Sequence, residues 1–223
     1  MNIPNRLTMT RLALIPVFIV LVFLEVGGFA RINDFIAVVV FGFASFTDFL
    51  DGYLARKWNM VTDFGKLIDS AADKLLCCSA LILLIYIFAV VCTDLFAPAA
   101  MFVMIICLTV FAVIIICREL FMTAFRSLAA SRNVIIAADM PGKIKAAAQM
   151  FGIVIILIAP DLVAFGLTLA AQIVFIAGFS LLALSVLMAI ISFVLYLVKY
   201  PDVFTDKPVV KAEIQSDKND DCE

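Results

Sequence analysis

Histidine is absent from the 223-residue sequence, and charged residues are scarce at 15%. Without imidazole, a mixed cysteine and histidine zinc site cannot be built. The six cysteines, at 77, 78, 92, 107, 117 and 222, lie mostly in apolar runs without metal-ligand spacing, so they read as small hydrophobes. Cys77 and Cys78 are adjacent, and neighbours on a helix point in different directions, which argues against a redox pair. The shortage of charge, set beside 65% hydrophobic residues and a mean hydropathy of +1.18, excludes a soluble globular domain. A net charge of −2 and a pI of about 5.1 offer no basic surface for nucleic acid, and no nucleic-acid partner is expected. No small-residue cleavage site follows the apolar stretch from Leu12 to Leu24, which reads as a retained first helix rather than a signal peptide. No internal repeat is visible.

What the sequence has in quantity is long apolar stretches. A helix needs roughly 20 apolar residues to cross a bilayer. The pattern predicts six crossings, near residues 9–28, 34–55, 67–92, 98–124, 145–161 and 168–198. The predicted fold is therefore all-α and polytopic, with membrane lipid as its main solvent. Of the 16 lysines and arginines, 15 fall on the side of the termini and only Arg31 falls opposite. The positive-inside rule then places both termini in the cytoplasm, with the chain in the cell membrane. The connections near 28–33, 92–98 and 160–167 are short and nearly uncharged, so chemistry is expected on the cytoplasmic face. Residues 1–199 form the membrane domain, and residues 200–223, with seven acids and no apolar periodicity, read as a flexible acidic cytoplasmic tail.

Four aspartates enter these hydrophobic helices. Asp48 and Asp51 end the second crossing and are i, i+3 neighbours; Asp69 and Asp73 open the third and are i, i+4 neighbours. Each pair shares a helix face, and the turn from Lys57 to Phe64 would bring the pairs together. Four like charges at a bilayer edge need cations between them. Hard divalent ions suit an all-carboxylate set, and two of them about 4 Å apart would clamp a phosphoryl group. Gly52 permits close approach to the backbone, Ala55 keeps the face narrow, and Arg56 supplies a forked donor for phosphate. Two other readings stand beside this one: ordinary ion pairs with Arg56, Lys57, Lys66 and Lys74, and a cation path.

The spacing D-x2-D-G-x2-A-R-x8-G-x3-D-x3-D is met at every fixed position by Asp48, Asp51, Gly52, Ala55, Arg56, Gly65, Asp69 and Asp73. It resembles the signature of the CDP-alcohol phosphatidyltransferase family. The resemblance implies a six-transmembrane-helix bundle, usually a homodimer, with a polar cavity open to the cytoplasm. It gives Asp48, Asp51, Asp69 and Asp73 as ligands of two Mg²⁺ or Mn²⁺ ions, with Asp73 also the catalytic base. It gives Gly52, Arg56 and Thr62 to the CDP part of CDP-diacylglycerol, and aligns Asn5 and Thr8 with a segment that closes over the nucleotide. Without the family, Asn5 reads simply as a helix N-cap after Pro4.

Members of the family differ in their acceptor alcohol, and the aspartates do not choose among them. Asn2 to Thr8 with Arg11, Arg118-Glu119, and Gly142-Lys143-Ile-Lys145 with Gln149 resemble the branch whose acceptor is glycerol 3-phosphate. Ala146 departs from that branch, which often has Thr there. An acceptor with its own phosphate needs cations apart from the carboxylates, and Arg118, Arg126, Lys143 and Lys145 supply them. The same four would also serve merely to set topology or meet anionic headgroups. Glu119 either orients one of these arginines or forms a helix-end ion pair. The expected products are phosphatidylglycerophosphate and CMP; inositol phosphate, serine or phosphatidylglycerol are the alternative acceptors. A transporter and a structural membrane subunit are the rival classes, the first disfavoured because its acids would sit near the bilayer midplane.

Overall fold

The structure, a computed structural model, describes residues 3–26, 36–47, 63–90, 92, 95–131 and 140–200. Lipid offers no hydrogen bonds to the backbone, so an apolar chain closes its N–H and C=O groups within helices. Every regular element among the described residues is helical. They are α1 (Ile3–Val26), α2 (Ile36–Thr47), α3 (Asp63–Val90), α4 (Pro98–Ser131), α5 (Met140–Leu157), α6 (Ala159–Ala164) and α7 (Thr168–Lys199). Four segments, Ser70–Val90, Pro98–Ser131, Met140–Ala164 and Thr168–Lys199, are long and apolar enough to cross a membrane, and Met9–Leu24 and Ile36–Thr47 are shorter apolar helices. The chain is thus an all-α, multi-pass membrane protein. The second predicted crossing is described only as far as Thr47, and the acidic tail lies outside the described residues.

The fifth predicted crossing, 145–161, is not one helix. It begins earlier, at Met140, and breaks at Ile158 into α5 and α6. Pro160 sits in the first turn of α6, where it needs no partner for its missing N–H, but its ring obstructs continuation of α5. α6 closes on Gly166, whose φ is +76°. The Gly166 N–H donates to Val163 O at 2.9 Å and the Leu167 N–H to Leu162 O at 2.9 Å, a Schellman closure that favours glycine.

α5 and α7 form the most extensive pair, with α1 against α3, α3 against α4, and α4 and α6 against α7. In lipid, helices adhere by close packing, which small residues permit. A Cβ added at Gly178 would sit 2.5 Å from Ile156 Cγ1 and 2.9 Å from Gly152 O, so the two glycines set the α5 to α7 separation. Away from the cavity described below, Phe175 of α7 packs on Phe88 at 4.5 Å and Phe96 at 5.5 Å, and Gln172 Nε2 donates to Leu95 O at 2.7 Å. Phe18 meets Phe41 at 5.5 Å between α1 and α2. Large apolar side chains such as Phe102, Leu169 and Ile173 remain exposed, as the surface of a lipid-facing bundle should be.

Candidate active site

One cavity of about 720 Å³ opens among five helices. Its walls are the C-terminal end of α2 (Gly42, Ser45, Phe46), the early part of α3 (Asp73, Lys74, Cys77), the late part of α4 (Arg118 to Arg126), the early part of α5 (Gly142 to Val154) and Tyr196 near the end of α7. Alternating helix ends meet here because successive helices run antiparallel. The length of α4 explains how charge reaches this place. Its 34 residues extend about 51 Å at 1.5 Å each, well beyond a hydrocarbon core of about 30 Å. The roughly 20 residues needed to cross are used up from Pro98 to Cys117, and Arg118 is the next.

Five predicted site residues from three helices come together in this cavity: Asp73, Arg118, Arg126, Lys143 and Lys145 all line it. Asp69 lies one turn before Asp73 on the continuous α3, and Asn5 and Thr8 lie in α1, but their side chains are outside the described residues. So are Asp48, Asp51, Gly52, Arg56 and Thr62 altogether. Asn5 falls inside the first turns of α1, which begins at Ile3, so it is not the N-cap that its context suggests.

The cations differ in their settings. Arg126 and Lys143 are exposed, whereas Lys145 is buried. Arg118 Nη1 donates to Glu119 Oε1 at 3.2 Å, and the same oxygen receives Lys145 Nζ from α5. Arg118 Nη2 donates to Ser192 Oγ of α7 at 3.0 Å. Ser185 Oγ, also of α7, donates to the backbone carbonyl of Lys145 at 3.0 Å. Side-chain exposures of 10%, 19% and 6% for Arg118, Glu119 and Lys145 make this a largely desolvated cluster. Two unit charges 4 Å apart interact with about 4 kcal/mol at an effective dielectric of 20, so a carboxylate shared by two cations decides whether they tolerate each other. Glu119 is thus an inter-helix bridge, the first of the two roles left open by its sequence context extended to both cations.

Sequence reasoning missed Ser185, Ser192 and Tyr196. Their signal is the spacing Ser185, Ala189, Ser192, Tyr196, which puts small or polar residues on one buried face of α7. It also passed over the contact of Cys77 Sγ with Met150 Sδ at 3.8 Å, which ties α3 to α5 one turn after Asp73.

A carboxylate such as that of Asp73 is the kind of donor a hard divalent ion takes. Asp73 offers carboxylate oxygens at the cavity wall, Glu119 is committed to its two cations, and the sulfurs of Cys77 and Met150 face each other. Among the described residues no three acids or cysteines cluster, since the side chains of the other three signature aspartates lie outside them.

A bundle of apolar helices around a cavity lined by Asp73 and Lys74 of α3, Arg118, Glu119 and Arg126 of α4, and Lys143 and Lys145 of α5 defines a class: a multi-pass membrane protein with a cation-rich polar pocket. The chain belongs to the CDP-alcohol phosphatidyltransferase family, whose description matches residues 1–198. It is 39% identical over 160 residues to the CDP-diacylglycerol–glycerol-3-phosphate 3-phosphatidyltransferase of Bacillus subtilis (strain 168), covering 68% of this chain and 74% of that one. It is 36% identical over 185 residues to the protein of the same name in Pseudomonas fluorescens, covering 80% and 83%. With that of Haemophilus influenzae (strain ATCC 51907 / DSM 11121 / KW20 / Rd) the identity is 34% over 157 residues, covering 68% and 73%.

Proposed function

We propose that this enzyme transfers the phosphatidyl group of CDP-diacylglycerol to sn-glycerol 3-phosphate, giving phosphatidylglycerophosphate and CMP. The observation that carries the proposal is the meeting of Asp73 with Arg118, Arg126, Lys143 and Lys145 around one cavity at one end of the bundle. A donor with a pyrophosphate and an acceptor with its own phosphate need separate anion sites, and the cavity sets Asp73 and Lys74 of α3 apart from the cations of α4 and α5.

Asp48, Asp51, Asp69 and Asp73 would hold two Mg²⁺ or Mn²⁺ ions. When bound, these neutralise the pyrophosphate and the departing CMP. Gly52, Arg56, Thr62, Asn5 and Thr8 bind the cytidine and phosphates of the donor, while its acyl chains stay in lipid. Arg118, Lys145, Arg126 and Lys143 hold the acceptor phosphate and so aim its hydroxyl. Asp73 takes the hydroxyl proton as the oxygen attacks the phosphorus next to diacylglycerol; the new P–O bond forms and the P–O bond to CMP breaks. The apolar outer faces of the helices keep the lipid product in the bilayer.

The cavity and both termini face the cytoplasm, because nearly all lysines and arginines lie on that side. The enzyme works in the cell membrane as a homodimer, with residues 1–199 as the catalytic unit and 200–223 as a solvated tail. Purified protein in detergent, given CDP-diacylglycerol and Mg²⁺ with glycerol 3-phosphate, inositol phosphate, serine or phosphatidylglycerol in turn, tests the proposal. CMP release with phosphatidylglycerophosphate from glycerol 3-phosphate alone is expected. Turnover only with another alcohol refutes the acceptor, and no turnover with any refutes the reaction.

A further inference from the structure

We infer that Glu119 is a positioning residue for the acceptor's phosphate, holding Arg118 of α4 and Lys145 of α5 as one fixed cationic fork. This rests on the reading of the cationic wall as the acceptor site. Two acids line the cavity among the described residues. Asp73 stands on α3, and Glu119 stands on α4 amid the cations. Glu119 Oε1 receives both Arg118 Nη1 and Lys145 Nζ, which ties the position of this carboxylate to the two cations. A structural surface pair would be exposed and loose, whereas these three side chains are largely buried.

The cluster is anchored from behind on both sides. Ser192 Oγ accepts from Arg118 Nη2, and Ser185 Oγ donates to the Lys145 carbonyl. Rigid cations lose little freedom when a phosphate arrives, which is how such anchoring becomes affinity. Arg118 Nε is buried without a hydrogen-bond partner among the described residues. One carboxylate between two cations also leaves the fork a net positive charge, so an arriving phosphate is still attracted.

Steady-state kinetics of Glu119→Gln, Glu119→Asp and Ser192→Ala in detergent test this. Glu119→Gln is expected to raise KM for glycerol 3-phosphate about tenfold, the effect of one lost charge-assisted contact, while KM for CDP-diacylglycerol stays within about twofold. Glu119→Asp should recover part of the loss. Ser192→Ala, a change of one hydroxyl on a buried helix face, should raise the acceptor KM about threefold. Should Glu119→Gln fail to give a monodisperse protein, Ser192→Ala decides alone: an unchanged acceptor KM overturns the proposal. A folded Glu119→Gln with both KM values raised together, or neither, also overturns it. If the wild type uses glycerol 3-phosphate and these variants leave its KM unchanged, only this inference fails; if the wild type uses only an alcohol without phosphate, the cationic wall has been misread and both fail.

Discussion

Four helical glycines allow a graded test of how tightly α5 and α7 are joined. A Cβ at Gly178 would lie 2.5 Å from Ile156 Cγ1, 2.9 Å from Gly152 O and 3.1 Å from Ile156 N. Two of these three neighbours are backbone atoms, which cannot rotate away. At Gly152 the nearest atoms are Gly178 O and Leu182 Cγ, both at 3.1 Å, and the leucine can yield a little. At Gly142 the nearest atom is Ser192 Oγ at 3.8 Å, and at Gly42 nothing lies within 4 Å. Alanine improves a helix interior by up to about 1 kcal/mol over glycine, while overpacking costs about 1–3 kcal/mol. Gly178→Ala should therefore destabilise by about 1–2 kcal/mol net, Gly152→Ala by less, and Gly42→Ala and Gly142→Ala should be neutral or slightly stabilising. At about 2–4 °C per kcal/mol for a chain of this size, Gly178→Ala should lower Tm by about 2–8 °C. A thiol-reactive dye in detergent reads this directly, because Cys77 and Cys92 are buried and exposed Cys117 gives a constant background. Equal Tm values for Gly178→Ala and Gly42→Ala would refute the claim that the glycine contact sets the helix separation.

Asp73→Asn should lower kcat by about 100-fold or more while the protein keeps its Tm, which size-exclusion and dye unfolding would verify. Chelation with EDTA should abolish CMP release and Mg²⁺ or Mn²⁺ should restore it; full activity in excess chelator would refute the carboxylate assignment. Arg126→Ala and Lys143→Ala, which remove exposed cations from the cavity rim, should each raise KM for glycerol 3-phosphate severalfold and leave KM for CDP-diacylglycerol unchanged. Gly166→Val should cost about 1–2 kcal/mol, seen as a lower Tm, because a β-branched residue resists the φ of +76°.

Much of this was legible in the chain itself. The crossings follow from hydropathy alone, since an apolar run in lipid has no alternative to the helix. The placement of Asp73 with Arg118 and Lys145 was foreseeable because every cation-rich segment falls on one side of the predicted topology. The break at Ile158 was harder to see: Pro160 marks it, but a proline in an apolar segment can also sit in an unbroken helix, as Pro16 does in α1. Ser192 was hidden for a different reason. It carries no charge, stands within 32 residues of almost uniform hydropathy, and acquires its role only because the turn of α7 presents it to Arg118. Glu119 was visible, but which cations it would share depended on how α4 meets α5, and that is a property of packing.

The aromatic knot around Phe175 has a mechanical meaning. Phe88, Phe96 and the Gln172 to Leu95 bond fix α7 near its start, while Ser192 stands 17 positions further along, about 25 Å away at 1.5 Å per residue. Between these two points α7 is held by α5, through the close approach of Gly178 to Gly152 and Ile156 and the bond of Ser185 Oγ to the Lys145 carbonyl. A tilt of about 2° about Phe175 would move Ser192 by about 0.9 Å, enough to carry a 3.0 Å hydrogen bond out of range. The α5 packing is thus what keeps a disturbance at the aromatic end of α7 from reaching Arg118.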